Sequence, residues 1–269
     1  MSLLVFIVGI CFGSFVNMLV FRTSCEKPCV IARSKTTKQS HWDRHASLAM
    51  TLGGRSFCDY CGRQLNWWNN IPIFSWIFQK GKSQCCQKKI DVSYPIVELV
   101  TGILFLFNYY FLISNFYSIF NFYFLISNVI VVLVVYSAVY DAKTMYLPDW
   151  STYTLIFLSL FFVHGIGNIY SAMGAAGFLL LLYLITRGKG MGLGDVYLAV
   201  FMGLLLGWPN IILAFYIAFI VGAIWGIILL ILRRKKIKSE MPFGPFLLFG
   251  TIVSWYFGKF VIDLVYRWF

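Results

Sequence analysis

Acidic residues are scarce in this chain: there are ten Asp and Glu against 22 Lys and Arg, three His, and only 12% charged residues overall. Soluble globular domains carry about 25% charged residues, so the shortage excludes a water-soluble enzyme and a charged, disordered binding segment alike. Basic residues are also missing over long stretches, with none from Ile90 to Ala142 and none from Thr144 to Thr186. No fixed-period repeat is present. The two copies of "FLISN" within residues 105–128 read as local duplication inside apolar spans, not as a solenoid. A cleavable signal is not expected, because the first apolar run has no basic leader and ends in Arg22 instead of a small-residue cleavage site.

What fills the gaps is apolar. The chain is 60% hydrophobic and 19% aromatic, with a mean hydropathy of +0.78. About 20 apolar residues cross a bilayer, and such runs lie near 2–21, 94–113, 119–140, 150–168, 172–186, 196–208, 209–232 and 243–264. The expected fold is an all-α integral membrane protein of about eight transmembrane helices, the fifth and sixth short, with a break around Gly188–Gly194. Twelve of the 22 Lys and Arg fall between Arg22 and Lys89, and five more form "RRKKIK" at 233–238. Keeping these inside makes 22–92, Lys143, 187–194 and 233–242 cytoplasmic and puts both termini outside. The implied organisation is a first transmembrane helix (1–22), a basic cytoplasmic cysteine-containing domain (23–92) and a multi-helix membrane core (93–269). The start of the polar domain, "KPCVIARSKTTKQSHWDRH", has no apolar periodicity and reads as an extended loop. A net charge of +12 is explained by topology and by anionic membrane lipids, at about 1 kcal/mol per charge near the surface. It does not call for nucleic acid.

Of the ten acids, Glu98, Asp141, Asp149, Asp195 and Asp263 fall in or beside apolar runs. An Asp at the bilayer centre costs about 2.5–3.5 kcal/mol on insertion scales, so each needs a reason. Asp195, after "GLG", and Asp149, after Pro148, each open a span and are explained as N-caps. Glu98 is explained by snorkelling or by pairing with a loop Arg. Asp141 closes a helix, where the dipole disfavours a carboxylate, and structure explains it least. The topology brings Asp141 and Asp195 to one membrane boundary. Two carboxylates held close cannot both ionise cheaply and share a proton, so one can act as base and the other as acid, without metal or stored nucleophile. Gly192 and Gly194 would let the backbone beside Asp195 approach a neighbour closely.

Four blocks in order carry a resemblance. "GICFGSFVNMLVFR" (9–22), "CDYCGRQLNWWNNIPIFSWIFQKGKSQCCQKKIDVSYPIVELVTG" (58–102), "YDAKTMYLPD" (140–149) and "GLGD" (192–195) resemble the type IV prepilin peptidases among the GxGD membrane aspartyl proteases. The resemblance implies Asp141 and Asp195 as the catalytic pair, with Gly192, Gly194 and Asp149 in support. It also implies prepilin or pseudopilin substrates with short basic leaders, cut at the cytoplasmic face of the bacterial cytoplasmic membrane. Many members also methylate the new N-terminus with S-adenosylmethionine, and no independent methyl-donor motif is present in the sequence.

Seven cysteines stand at 11, 25, 29, 58, 61, 85 and 86. A reducing compartment argues against disulfides, and Cys11 reads as a small core residue. "CDYCG" has the spacing of a zinc knuckle. The family pattern supplies a second C-x-x-C, but Ser83 stands at its first position and Cys86 at its second. Structural zinc on Cys58, Cys61 and Cys86 follows from the resemblance. The fourth ligand is open between the adjacent Cys85 and His41, His45, Cys25 or Cys29. Two other readings stand beside the protease: an inactive scaffold that binds pilin leaders, and a transporter with a proton-carrying Asp pair.

Overall fold

The computed structural model describes residues 1–24, 58, 61, 64–114, 122–163, 165–188, 191–232 and 241–267. The expectations on Cys25, Cys29, His41 and His45 lie outside them. Among the described residues the chain is helical, with no strand beyond an isolated bridge between Lys82 and Lys89. Nine α-helices follow in order among those residues: α1 Ser2–Ser24, α2 Phe74–Phe78, α3 Ser93–Ser114, α4 Phe122–Thr144, α5 Asp149–Ser159, α6 Ile166–Thr186, α7 Leu193–Leu206, α8 Asn210–Ile231 and α9 Gly244–Tyr266. Six of them, α1, α3, α4, α6, α8 and α9, are long and apolar enough to cross a membrane.

Each of the eight apolar runs carries a helix, but two of these are short. The fourth holds 11 residues of α5 followed by a 3-10 turn, Leu160–Phe162. The sixth, α7, holds 14. The fifth is not short, contrary to expectation: α6 runs 21 residues, because Ile166–Ser171 form its first turns instead of ending the run before. Its end is where the sequence reading placed the break, at Arg187 and Gly188, both with positive φ.

The chain divides into two compact units, Met1–Leu106 and Phe107–Phe269. In the first, α1 and the start of α3 pack antiparallel through small residues. A Cβ on Gly9 would meet Phe105 and Gly102 within 2.9 Å, and one on Gly13 would lie 2.6 Å from the Glu98 backbone. Such small-residue seams let membrane helices approach closely. Asn17 Nδ2 donates to the Tyr94 carbonyl at 3.0 Å and fixes the end of this pair.

In the second unit α7 is central. Its residues from Val196 to Leu206 are mostly buried, and it packs against α5, α6 and α9. The α6–α7 seam is so close that a Cβ on Gly203 would strike the Ala172 backbone, and α9 meets α8 as closely, with Gly250 against the Ala214 carbonyl. At 1.5 Å per residue α7 is about 21 Å long, short of the roughly 30 Å hydrocarbon core. Protein instead of lipid surrounds it, so its polar first turn need not reach a headgroup. Asn108 Nδ2 ties α3 to α4 through Ser127 Oγ (2.9 Å) and Asn128 Oδ1 (3.2 Å).

Candidate functional site

Three element ends converge in the second unit. Asp141 lies in the last turn of α4, which stops at Met145, a residue with φ of 55° whose N–H returns to the Asp141 carbonyl at 2.8 Å. The loop that follows carries Leu147 inward, and Pro148 then caps α5. Leu147 meets two glycines: a Cβ on Gly194, at the start of α7, would lie 3.1 Å from its side chain, and one on Gly244, at the start of α9, 3.5 Å.

This packing buries both carboxylates, Asp141 to 5% and Asp195 to 7% exposure. The two are joined through Leu147, which packs against Gly194 next to Asp195 and against Gly244, where a Cβ would touch Asp141. Asp195 is the third residue of α7 and not its N-cap. Gly192 occupies the cap, and its N–H donates to Asp195 Oδ2 at 3.3 Å. Gly192 has room for a side chain, so close approach concerns Gly194 and not Gly192. Asp149 is likewise one residue past its expected cap position. Its Oδ2 accepts from the Tyr146 hydroxyl at 3.2 Å, which raises the tyrosine pKa by favouring the protonated phenol.

Gly244 was not legible as a site residue. A Cβ there would lie 2.6 Å from Asp141 Oδ2, and the Gly244 N–H faces the carboxylate. The contact does not close a full hydrogen bond to Oδ2, which among the described residues is buried without a partner. The first turn of a helix carries free N–H groups and partial positive charge. The start of α9 therefore offsets what the end of α4 imposes on Asp141. The signal was the Gly–Pro pair in "MPFGPF", which reads from sequence only as a helix start.

In the first unit, the four sulfurs of Cys58, Cys61, Cys85 and Cys86 lie within 4.8 Å of one another. A hairpin presents the second pair: Ile90 N–H bonds to the Gly81 carbonyl and Ser83 N–H to the Lys88 carbonyl, each at 2.8 Å, while Gln87, with φ of 58°, closes the turn. Cys85 and Cys86 are neighbours, yet both point into the cluster. Zinc–sulfur bonds of about 2.3 Å in a tetrahedron give sulfur–sulfur edges of about 3.8 Å. Cys58 and Cys86 stand 3.8 Å apart and Cys61 and Cys85 3.1 Å. Four soft donors at this spacing fit zinc with no open position, which is the pattern of a structural site. The Ser83 hydroxyl lies 3.4 Å from Cys58 Sγ and 3.1 Å from Cys85 Sγ, as a neighbour of the donors and not one of them. Glu98, also buried, accepts the Ile73 N–H at 2.7 Å, while the loop arginines with which it was expected to pair lie outside the described residues.

Two family models match the chain: the Bacterial Peptidase A24 N-terminal domain over residues 7–112 and the Type IV leader peptidase family over residues 128–227. The second range holds both buried aspartates, and Gly244 falls outside both ranges. A prepilin leader peptidase/N-methyltransferase of Aeromonas salmonicida is 32% identical, over 99% of this chain and 92% of its own. Proteins of the same name from Xanthomonas campestris (29%, over 95% and 91%) and Pectobacterium carotovorum (27%, over 91% and 89%) are also similar. No solved structure matches. With matched blocks running in one order through nearly the whole length, and with two buried carboxylates inside one of them, the chain belongs to the type IV leader peptidase family.

Proposed function

We propose that this protein is a membrane aspartyl endopeptidase that removes the short basic leader of type IV prepilins or pseudopilins, with Asp141 and Asp195 as its catalytic pair. The observation that carries the reading is the burial of two carboxylates, from α4 and α7, beside the one side chain of Leu147 that meets Gly194 and Gly244. One carboxylate takes a proton from water as the water oxygen bonds to the scissile carbonyl carbon. The other, protonated, gives its proton to the departing nitrogen as the C–N bond breaks, leaving a leader carboxylate and a new amine. Gly194 admits Leu147 beside the pair, the Gly192 N–H orients Asp195, and Asp149 holds Tyr146 at the adjoining loop.

The distribution of Lys and Arg supports placing 23–92 and the aspartates at the cytoplasmic face of the bacterial inner membrane, with 93–269 as the proteolytic core. Cys58, Cys61, Cys85 and Cys86 would hold zinc, which would order the hairpin and take no part in cleavage. The relatives' names add N-methylation of the new terminus from S-adenosylmethionine. No described residues are assigned to that donor. The test is cleavage of a leader-bearing pilin by purified protein in liposomes, read by mass spectrometry, with methylation seen as an added methyl mass on the mature chain. A folded protein that binds the pilin and leaves it uncut would make this chain a scaffold, and the protease reading would be wrong.

A further inference from the structure

The region before α3 carries its apolar side chains on the outside. Phe74, Ile77 and Phe78, at i, i+3 and i+4, share one face of α2, and all three are exposed, Phe78 to 81%. The opposite side is the one that packs, with the Trp76 ring under Gly81. Just upstream, the rings of Trp67 and Trp68 lie against each other, tilted by 40° with centroids 4.4 Å apart, and stand 69% and 54% exposed. A water-facing surface rarely gathers so many large apolar groups without a partner. Lys80, Lys82, Lys88 and Lys89, all exposed, follow directly.

The depth of this patch is set by α3. Ile73, with φ of 59°, turns its N–H onto the buried Glu98 at 2.7 Å. Glu98 lies five residues inside the start of an apolar span that begins at Ser93, which is about 7.5 Å along the axis at 1.5 Å per residue. The Ile73 backbone, where α2 begins, is therefore held below the rim of α3 and not above it.

We propose that Trp67–Phe78 is an interfacial wedge in the leaflet at which α3 begins. Its aromatic face rests at the boundary of headgroups and acyl chains, and the lysines that follow meet anionic headgroups. Tryptophan favours that zone, and an apolar face with flanking lysines is how a short segment lies on a bilayer without crossing it. The partner is the lipid surface and not another protein, because the hydrogen bond to Glu98 fixes the segment at membrane depth whether or not a protein is bound.

The test uses the full chain in vesicles of phosphatidylcholine and phosphatidylglycerol. Subtracting the emission of Trp67→Phe/Trp68→Phe from that of wild type isolates the pair among nine tryptophans. The expected difference spectrum is blue-shifted, quenched by lipids brominated near the glycerol end, and shielded from aqueous iodide. Phe74→Ser/Ile77→Ser/Phe78→Ser should lose most of that quenching while retaining the metal content of the cysteine cluster, which controls for folding. A red-shifted spectrum quenched by iodide and silent to brominated lipid would overturn the proposal and make the patch a docking face for protein. Quenching only by lipids brominated near the methyl end would overturn it too, by placing the segment in the acyl core.

Discussion

Asp141 faces two helix ends of opposite sign: the last turn of its own α4 and the first turn of α9. A carboxylate so placed depends on the second to offset the first. Asp141→Asn and Asp195→Asn should each abolish leader cleavage while the protein elutes and melts as wild type, whereas Asp149→Asn should lose far less. Activity that falls only in step with melting temperature would make Asp195 a helix-start residue and nothing more. Gly244→Ala gives a sharper test of position, since its Cβ would lie 2.6 Å from Asp141 Oδ2 and the carboxylate must move. A displacement near 1 Å can cost about a hundredfold in rate, and that loss, at little change in melting temperature, is expected in single-turnover cleavage. Gly194→Val, 3.1 Å from Leu147, should cripple cleavage as well, and Gly192→Ala should be tolerated. The aspartates were legible because an acid in an apolar run demands a reason. Gly244 was not, because its role lies in a contact with a residue far off in sequence.

The cysteine hairpin gathers its donors through backbone hydrogen bonds between Gly81 and Ile90, so purified protein should carry about one zinc, the count for one tetrahedral site. Metal analysis should find it lost in Cys58→Ser and Cys86→Ser. Cys85→Ser decides the fourth position, and metal retained there at full affinity would send the search to Cys25, Cys29, His41 or His45. Ser83→Ala should keep zinc at an affinity about 10–100-fold lower, the usual cost of losing a hydrogen-bonding neighbour of the ligands. From sequence, adjacency counted against Cys85 and Cys86 both pointing inward, and only the turn closed by Gln87 resolves that. Helix boundaries were least legible around 160–172, where one apolar composition covers the end of α5, a 3-10 turn and the start of α6. Hydropathy alone does not register the change in hydrogen bonding.

At the scale of the whole molecule, the proposed topology has an even number of crossings with Lys and Arg kept inside, which would put both termini on the outer face. Alkaline phosphatase fused after Phe269 should be active, and the same reporter placed within 233–240 should be silent. Activity at the second position would reverse the orientation and put the aspartates on the wrong side for a basic leader held in the cytoplasm. The six long helices were open to reading because lipid forces an unbroken apolar run wherever a helix meets it, whereas the fourth and sixth runs, also read as spans, hold helices of only 11 and 14 residues. The wrapping of α7 was not, since a helix surrounded by protein carries the same composition as one surrounded by lipid.

The meeting of Asp141 with Gly244 also has a consequence in time. Synthesis runs from the first residue to the last, so a growing chain holds both aspartates before it holds the backbone that faces one of them. Until α9 has followed α8 into the bilayer, Asp141 faces the unfavourable end of its own helix without the opposite helix end that offsets it. A chain cut short between Asp195 and Gly244 keeps both acids and lacks the backbone that faces Asp141. On the proposed assignment such a fragment, however well inserted, should leave neighbouring pilins intact, and the capacity to cut would arrive with the final helix.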